Sequence, residues 1–112
     1  MDIRRINDEY SVSSQIAVED VKTVKDQGFK SIVCHRPDGE APEQTGFADI
    51  KAEAERLGLE IRQVPFGAEG VSADQVHAFV DCLDEMPRPM LGYCRSGARS
   101  TKIYEMTRHI RN

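Results

Sequence analysis

Apolar positions along the chain follow two spacings in turn. Val18, Val21 and Val24 recur every three residues ahead of Gly28 and predict a helix over Val18–Gln27. Phe29–Cys34 is apolar and β-branched, which predicts a buried strand. Phe47, Ile50, Ala54 and Leu57 form the inner face of a second helix over about Gly46–Leu57, stopped by Gly58. Leu59–Val64 is the next strand, stopped by Pro65. Ser72-Ala73-Asp74-Gln75 has the form of a capping box. It opens a third helix with Val76, Phe79, Val80 and Leu83 inward, ended by Pro87 and Pro89. Met90–Cys94 is the last strand. Ala98–Arg111 is the last helix, with Ile103, Met106 and Ile110 inward and Arg108, His109 and Arg111 in its final turn. Residues 9–15 read as an early strand or edge segment.

Strands alternating with helices predict an α/β fold: three layers, a mainly parallel sheet flanked by helices, and right-handed crossovers. Residues 1–112 read as a single catalytic domain. Ligands of such sheets bind beyond the carboxyl ends of the strands. Three loops should meet there: the one from Arg36, the one from Phe66 to Gly70, and the one after Cys94.

The last of these loops carries the chemistry. Cys94-Arg95-Ser96-Gly97-Ala98-Arg99-Ser100 places a thiol between a strand and a helix N-terminus. Backbone amides and the helix dipole favour an anion at that point. Such surroundings hold cysteines at a pKa of about 3.5–7.5, largely as thiolate. Cys94 is the candidate nucleophile. The amides of Arg95, Ser96, Gly97, Ala98 and Arg99 form an anion nest, and Gly97 permits the turn. Arg99 offers a planar fork to an oxyanion, Ser100 a hydroxyl to the thiolate, and Arg95 an outward cation for substrate. This chemistry requires a sulfur that can be approached; a sulfur sealed in the interior would exclude it. The bland alternative is a buried cysteine ahead of a polar turn.

Arg36-Pro37-Asp38-Gly39-Glu40 is a second candidate loop. Arg36 is a candidate anion ligand. Asp38 or Glu40 could pair with Arg99, and Asp38, Glu40 and Glu69 are the candidate proton donors or supporting groups. His35 reads as a structural hydrogen-bonding group, Cys82 as core and His77 as solvent-facing.

The net charge of −4 argues against a nucleic-acid binder, and no apolar run is long enough for a membrane span. Cys34, Cys82 and Cys94 are odd in number and widely spaced, which points to a reducing, cytoplasmic setting rather than a disulfide framework. The three histidines show no metal-ligand spacing with them, so neither metal nor cofactor is expected.

Tyr93–Ser100 resembles the active loop of single-domain rhodaneses and a shortened form of the loop of dual-specificity and tyrosine phosphatases. The segments Tyr10-Ser11-Val12-Ser13-Ser14-Gln15-Ile16, Gly28-Phe29-Lys30-Ser31-Ile32-Val33 and Arg36-Pro37-Asp38-Gly39-Glu40 resemble the small bacterial family DUF442, the β-lactamase-hydrolase-like phosphatases. The likeness runs from about Ile6 to Tyr104. It implies a tyrosine/dual-specificity-phosphatase-like scaffold, fused in some members to a metallo-β-lactamase-like hydrolase of sulfide metabolism. In some phosphatases of this architecture a second cysteine captures the nucleophile as a disulfide, which makes Cys34 a candidate redox partner.

Two reactions fit the loop. Phosphatases of this mechanism place five residues between cysteine and arginine, and this chain places four, as rhodaneses do. The position before the nucleophile, often His in phosphatases, is Tyr93. The loop after the preceding strand, where related phosphatases carry an acidic Asp, has none. A general acid is worth about 10²–10⁴ in rate. The first reading is therefore a sulfurtransferase with a Cys94 persulfide, taking a small anionic sulfur donor and passing sulfur to a thiol acceptor or a sulfide-metabolism enzyme. The alternatives are a phosphatase acting on a phosphoester through phosphocysteine, and a non-catalytic anion-binding module.

Overall fold

A computed structural model of the chain describes residues 1–111. Strand β1 (Arg4–Arg5) pairs antiparallel with β2 (Tyr10–Ser13). Strands β3 (Ser31–Cys34), β4 (Glu60–Gln63) and β5 (Met90–Tyr93) join β2 in parallel, giving the order β1-β2-β5-β3-β4. β2, β3 and β5 are buried along their whole length, whereas edge strand β4 buries only Ile61. That is the burial expected of a parallel sheet covered on both faces.

Helices α1 (Asp20–Asp26) and α2 (Phe47–Arg56) cover one face, where Val21, Val24, Ile50 and Ala54 pack on Ile32 and Leu91. Helices α3 (Ala73–Glu85) and α4 (Ala98–Thr107) cover the other, where Phe79, Leu83 and Ile103 pack on Tyr10 and Val33. Helix α3 starts at the expected box: the Gln75 amide donates to Ser72 Oγ (3.2 Å) and the Ser72 amide to Gln75 Oε1 (2.7 Å). No helix among the described residues is long and apolar enough to cross a membrane.

Three expectations need correction. Edge strand β1 carries no hydropathy signal and is absent from the sequence reading. Helix α1 begins at Asp20, whose carboxylate accepts from the Ala17 amide (2.8 Å), so Val18 precedes the helix. Helix α4 ends at Thr107, and Met106 and Ile110 are exposed. Its buried face is Ser100, Ile103, Tyr104 and Thr107, because Tyr104 stacks on Tyr10 at 4.5 Å. Arg111 leaves the helix to pair with Glu9 (3.0 and 3.1 Å).

The topology sets the site. The chain leaves β2 for α1 and β3 for α2 on one face, but leaves β5, between those strands, for α4 on the other. The divergence opens a crevice beyond the carboxyl end of β5, where Cys94 lies.

Candidate active site

Backbone bonds carry the sheet past its last residues and fix the loop. The Cys94 amide donates to the Ser13 carbonyl (3.4 Å) and the Gln15 amide to the Arg95 carbonyl (3.3 Å). Gly97 turns the chain into α4 with φ +94°, a conformation L side chains rarely adopt. A Cβ there would also strike the Arg4 guanidinium, which donates to the Ser96 carbonyl from outside (2.9 Å). Inside, the Tyr10 hydroxyl donates to the Ser100 carbonyl (3.1 Å) from a place that a side chain on Gly92 would occupy.

The Gly97 amide donates to Cys94 Sγ (3.0 Å). Burial pushes the thiol pKa up, but the loop amides of Ser100, Ser96 and Gly97 outweigh it, so the thiol lies below its ordinary value. The buried Ser100 hydroxyl completes no hydrogen bond among the described residues. Cys34 and Cys82 go the other way: burial raises both. Cys94 has 0% of its surface exposed. The sulfur is therefore enclosed by its own loop and is absent from the crevice lining, so the expectation of an approachable thiol is not met in this conformation.

Arg99 is held by its outer edge. Nη1 and Nη2 donate to the two oxygens of Glu40 (2.7 Å each), and Nη1 also donates to the Phe66 carbonyl (2.9 Å). A guanidinium has five N–H donors. Those three bonds leave Nε–H and the second Nη2 hydrogen, a side-on fork for two oxyanion oxygens. Glu40 also accepts from Arg36 Nε (2.9 Å), and its carboxyl is pulled down to about 2, chiefly by Arg99, with burial opposing the shift and Arg36 adding to it.

The sequence-predicted residues divide accordingly. Arg95, Arg99 and Glu40 line one open crevice of about 450 Å³ with Phe66, Gly67, Ala68, Gly70 and Lys102. Arg36 does not line it: only 5% exposed, it joins Glu40 (2.9 Å) to the Gln15 side chain (3.1 Å). Asp38 accepts from the Phe47 amide (2.9 Å) at the start of α2. Glu69 folds back onto its own loop, accepting from the Gly67 amide (3.1 Å), and lines an adjoining depression that shares Gly70 with the crevice. Neither carboxylate stands in the crevice. The Ala98 amide bonds Ser96 Oγ (3.3 Å). Cys34 is a free thiol, donating to the Arg36 carbonyl (3.3 Å). The buried His35 ring bonds the Val64 carbonyl (3.0 Å) through Nδ1, and burial lowers its pKa to about 4.

The loop from Phe66 to Gly70 lines the crevice as expected, and its Phe66 carbonyl holds Arg99. Sequence reasoning missed three contributors. Lys102 follows Arg99 by three on α4 and so shares its face, a signal helical spacing could have given. Arg4 and Gln15 act from distant segments and left none.

Comparison with known proteins supplies the rest. The sequence model for the phosphatase-like domain of beta-lactamase hydrolase-like proteins matches residues 2–110. A beta-lactamase hydrolase-like protein of Agrobacterium fabrum is 31% identical over 89% of this chain, which corresponds to 23% of that protein. The chain thus spans about a quarter of the length of the curated relatives it matches. A crystal structure of a candidate phosphatase from Neisseria meningitidis superposes with TM-score 0.87 at 29% identity, over 96% of this chain and 77% of that one. The core catalytic domain of the PP-IP phosphatase SIW14 from S. cerevisiae superposes with TM-score 0.72 over 96% of this chain and 65% of that one. At 17% identity that likeness shows the fold alone, which is of the tyrosine/dual-specificity-phosphatase type.

Proposed function

The chain belongs to the family of phosphatase-like domains of beta-lactamase hydrolase-like proteins, and we propose that it is a cysteine-dependent phosphatase. The observation that carries this reading is the pairing of a thiol lowered by its own loop amides with an arginine whose free fork adjoins that loop. On this reading residues 95–97 must open over the buried sulfur; Cys94 Sγ then attacks phosphorus, the bond to the leaving oxygen breaks, and phosphocysteine forms. Water then attacks phosphorus, inorganic phosphate departs and the thiolate returns. Arg99 and the loop amides stabilise the charge on the transferred group. Glu40 and Arg36 hold Arg99 in place.

The sulfur-transfer reading rested on loop length and the missing acid, and none of the comparisons supports it. Their phosphatase character supports the second reading, with a phosphoester as substrate. Loop spacing alone does not identify the transferred atom.

The test is intact mass and product release. Wild type incubated with 4-nitrophenyl phosphate should release phosphate and carry a transient phosphoryl adduct, and Cys94→Ser should do neither. Iodoacetamide at pH 7 should label Cys94 ahead of Cys34 and Cys82. No hydrolysis, with added sulfur after thiosulfate treatment, would restore the persulfide mechanism. An inert Cys94 in both assays would leave an anion-binding module.

A further inference from the structure

We propose that the preferred substrates are phosphoanhydrides, in which the group leaving the transferred phosphoryl is itself a phosphate. The inference rests on the phosphatase reading and narrows it. Two independent features of the crevice carry it.

The first is its carboxylates. Among the described residues that line it, Glu40 is the one acid, and both its oxygens bind guanidinium groups. It stays ionised far below neutral pH and has no proton to give. Asp38 and Glu69 are each bonded to a backbone amide and lie outside the lining. An alkoxide leaving without a proton is a strong base, and losing that proton transfer lowers a rate by about 10²–10⁴. A phosphate leaving group ionises near neutrality, with a pKa of about 6, and needs no donor.

The second is unmatched positive charge. The protein carries a net charge of −4, yet this crevice sets Arg95, Arg99 and Lys102 against Glu40 alone. Glu40 neutralises Arg99. Among the described residues neither Arg95 nor Lys102 takes part in an ion pair. Two cations on the rim of a site whose transferred group is already served by Arg99 and the loop amides suit a second anionic group. With a diphosphate ester, Cys94 Sγ bonds to the terminal phosphorus. The bridging P–O bond breaks with its electron pair going to the departing monophosphate ester, whose new charge Arg95 and Lys102 meet. Water then cleaves the S–P bond, its proton passing to the released inorganic phosphate.

The experiment compares methyl diphosphate, methyl phosphate and 4-nitrophenyl phosphate on wild type, Arg95→Ala, Lys102→Ala, Arg95→Lys and Glu69→Gln. Wild-type kcat/KM for the diphosphate should exceed that for methyl phosphate by about 10² or more. Arg95→Ala and Lys102→Ala should each shrink that ratio about tenfold, the loss of one charge-assisted contact, with Arg95→Lys restoring part of it. Hydrolysis of 4-nitrophenyl phosphate with a ratio near one, or a ratio unmoved by both alanine variants, overturns this inference and leaves the phosphatase reading standing. So does brisk methyl phosphate hydrolysis lost in Glu69→Gln, since Glu69 would then swing in as an acid. No hydrolysis of any of the three overturns both.

Discussion

Glu40→Gln removes the charge at the centre of the site while keeping its size. In the wild type Glu40 joins Arg99 to Arg36, and Arg36 is almost fully buried, so the variant leaves a desolvated guanidinium without its counter-ion. The carboxyl falls from 4.5 to about 2 on folding. At 1.36 kcal/mol for each tenfold change in proton affinity, that fall sets an upper bound of roughly 3.4 kcal/mol. Glu40 is 26% exposed, and little besides its two ion partners surrounds it, so water screens the pairs. We discount the figure to about 1–2 kcal/mol. The sign follows from the depressed folded value: the stabilisation is complete above pH 4.5, the unfolded value, and is lost as pH falls through about 2. By pH 3 about two-fifths remains. Urea denaturation of wild type and Glu40→Gln at pH 7, 5 and 3 should show a gap of about 1–2 kcal/mol at the first two and less than half of it at the third. A gap that is the same at all three, or absent at pH 7, would mean that Glu40 does not anchor the arginines and that Arg99 is oriented by Phe66 alone.

Three further substitutions probe the frame. Arg4→Ala frees the Ser96 carbonyl and should raise the rate of Cys94 alkylation about three- to tenfold, the equivalent of one hydrogen bond; an unchanged rate would show that Arg4 does not restrain the loop. Gly92→Ala drives a methyl group into the Tyr10 hydroxyl and should cost about 1–3 kcal/mol in thermal or urea denaturation, and full wild-type stability would contradict the packing. Ser72→Ala removes half of the α3 capping box and should cost about 1 kcal/mol with no change in the site; a loss of activity at constant stability would place Ser72 in the chemistry instead.

What the sequence made legible was local. A capping box shows itself within four residues, and a thiol, a glycine and an arginine at the head of a helix are read from one heptapeptide. What stayed hidden depends on which distant segment arrives. Ile103, Met106 and Ile110 satisfy helical spacing as well as Ile103, Tyr104 and Thr107 do, and only the stacking of Tyr104 on Tyr10 chooses between them. Arg36 and Arg99 look alike as anion ligands in the sequence, but Arg36 is turned inward to Glu40 and Gln15, on a loop tied to the start of α2 by Asp38. The same folding decides which carboxylates face substrate. Asp38 is taken by the first amide of α2, an orphan donor that some acceptor has to satisfy, and Glu69 by an amide of its own tight turn. Both acids are present in the sequence at plausible distances from Cys94, and both are withdrawn by the backbone needs of their own loops. The crevice is left with cations and a single neutralised carboxylate, and that imbalance, invisible in composition, selects the leaving group.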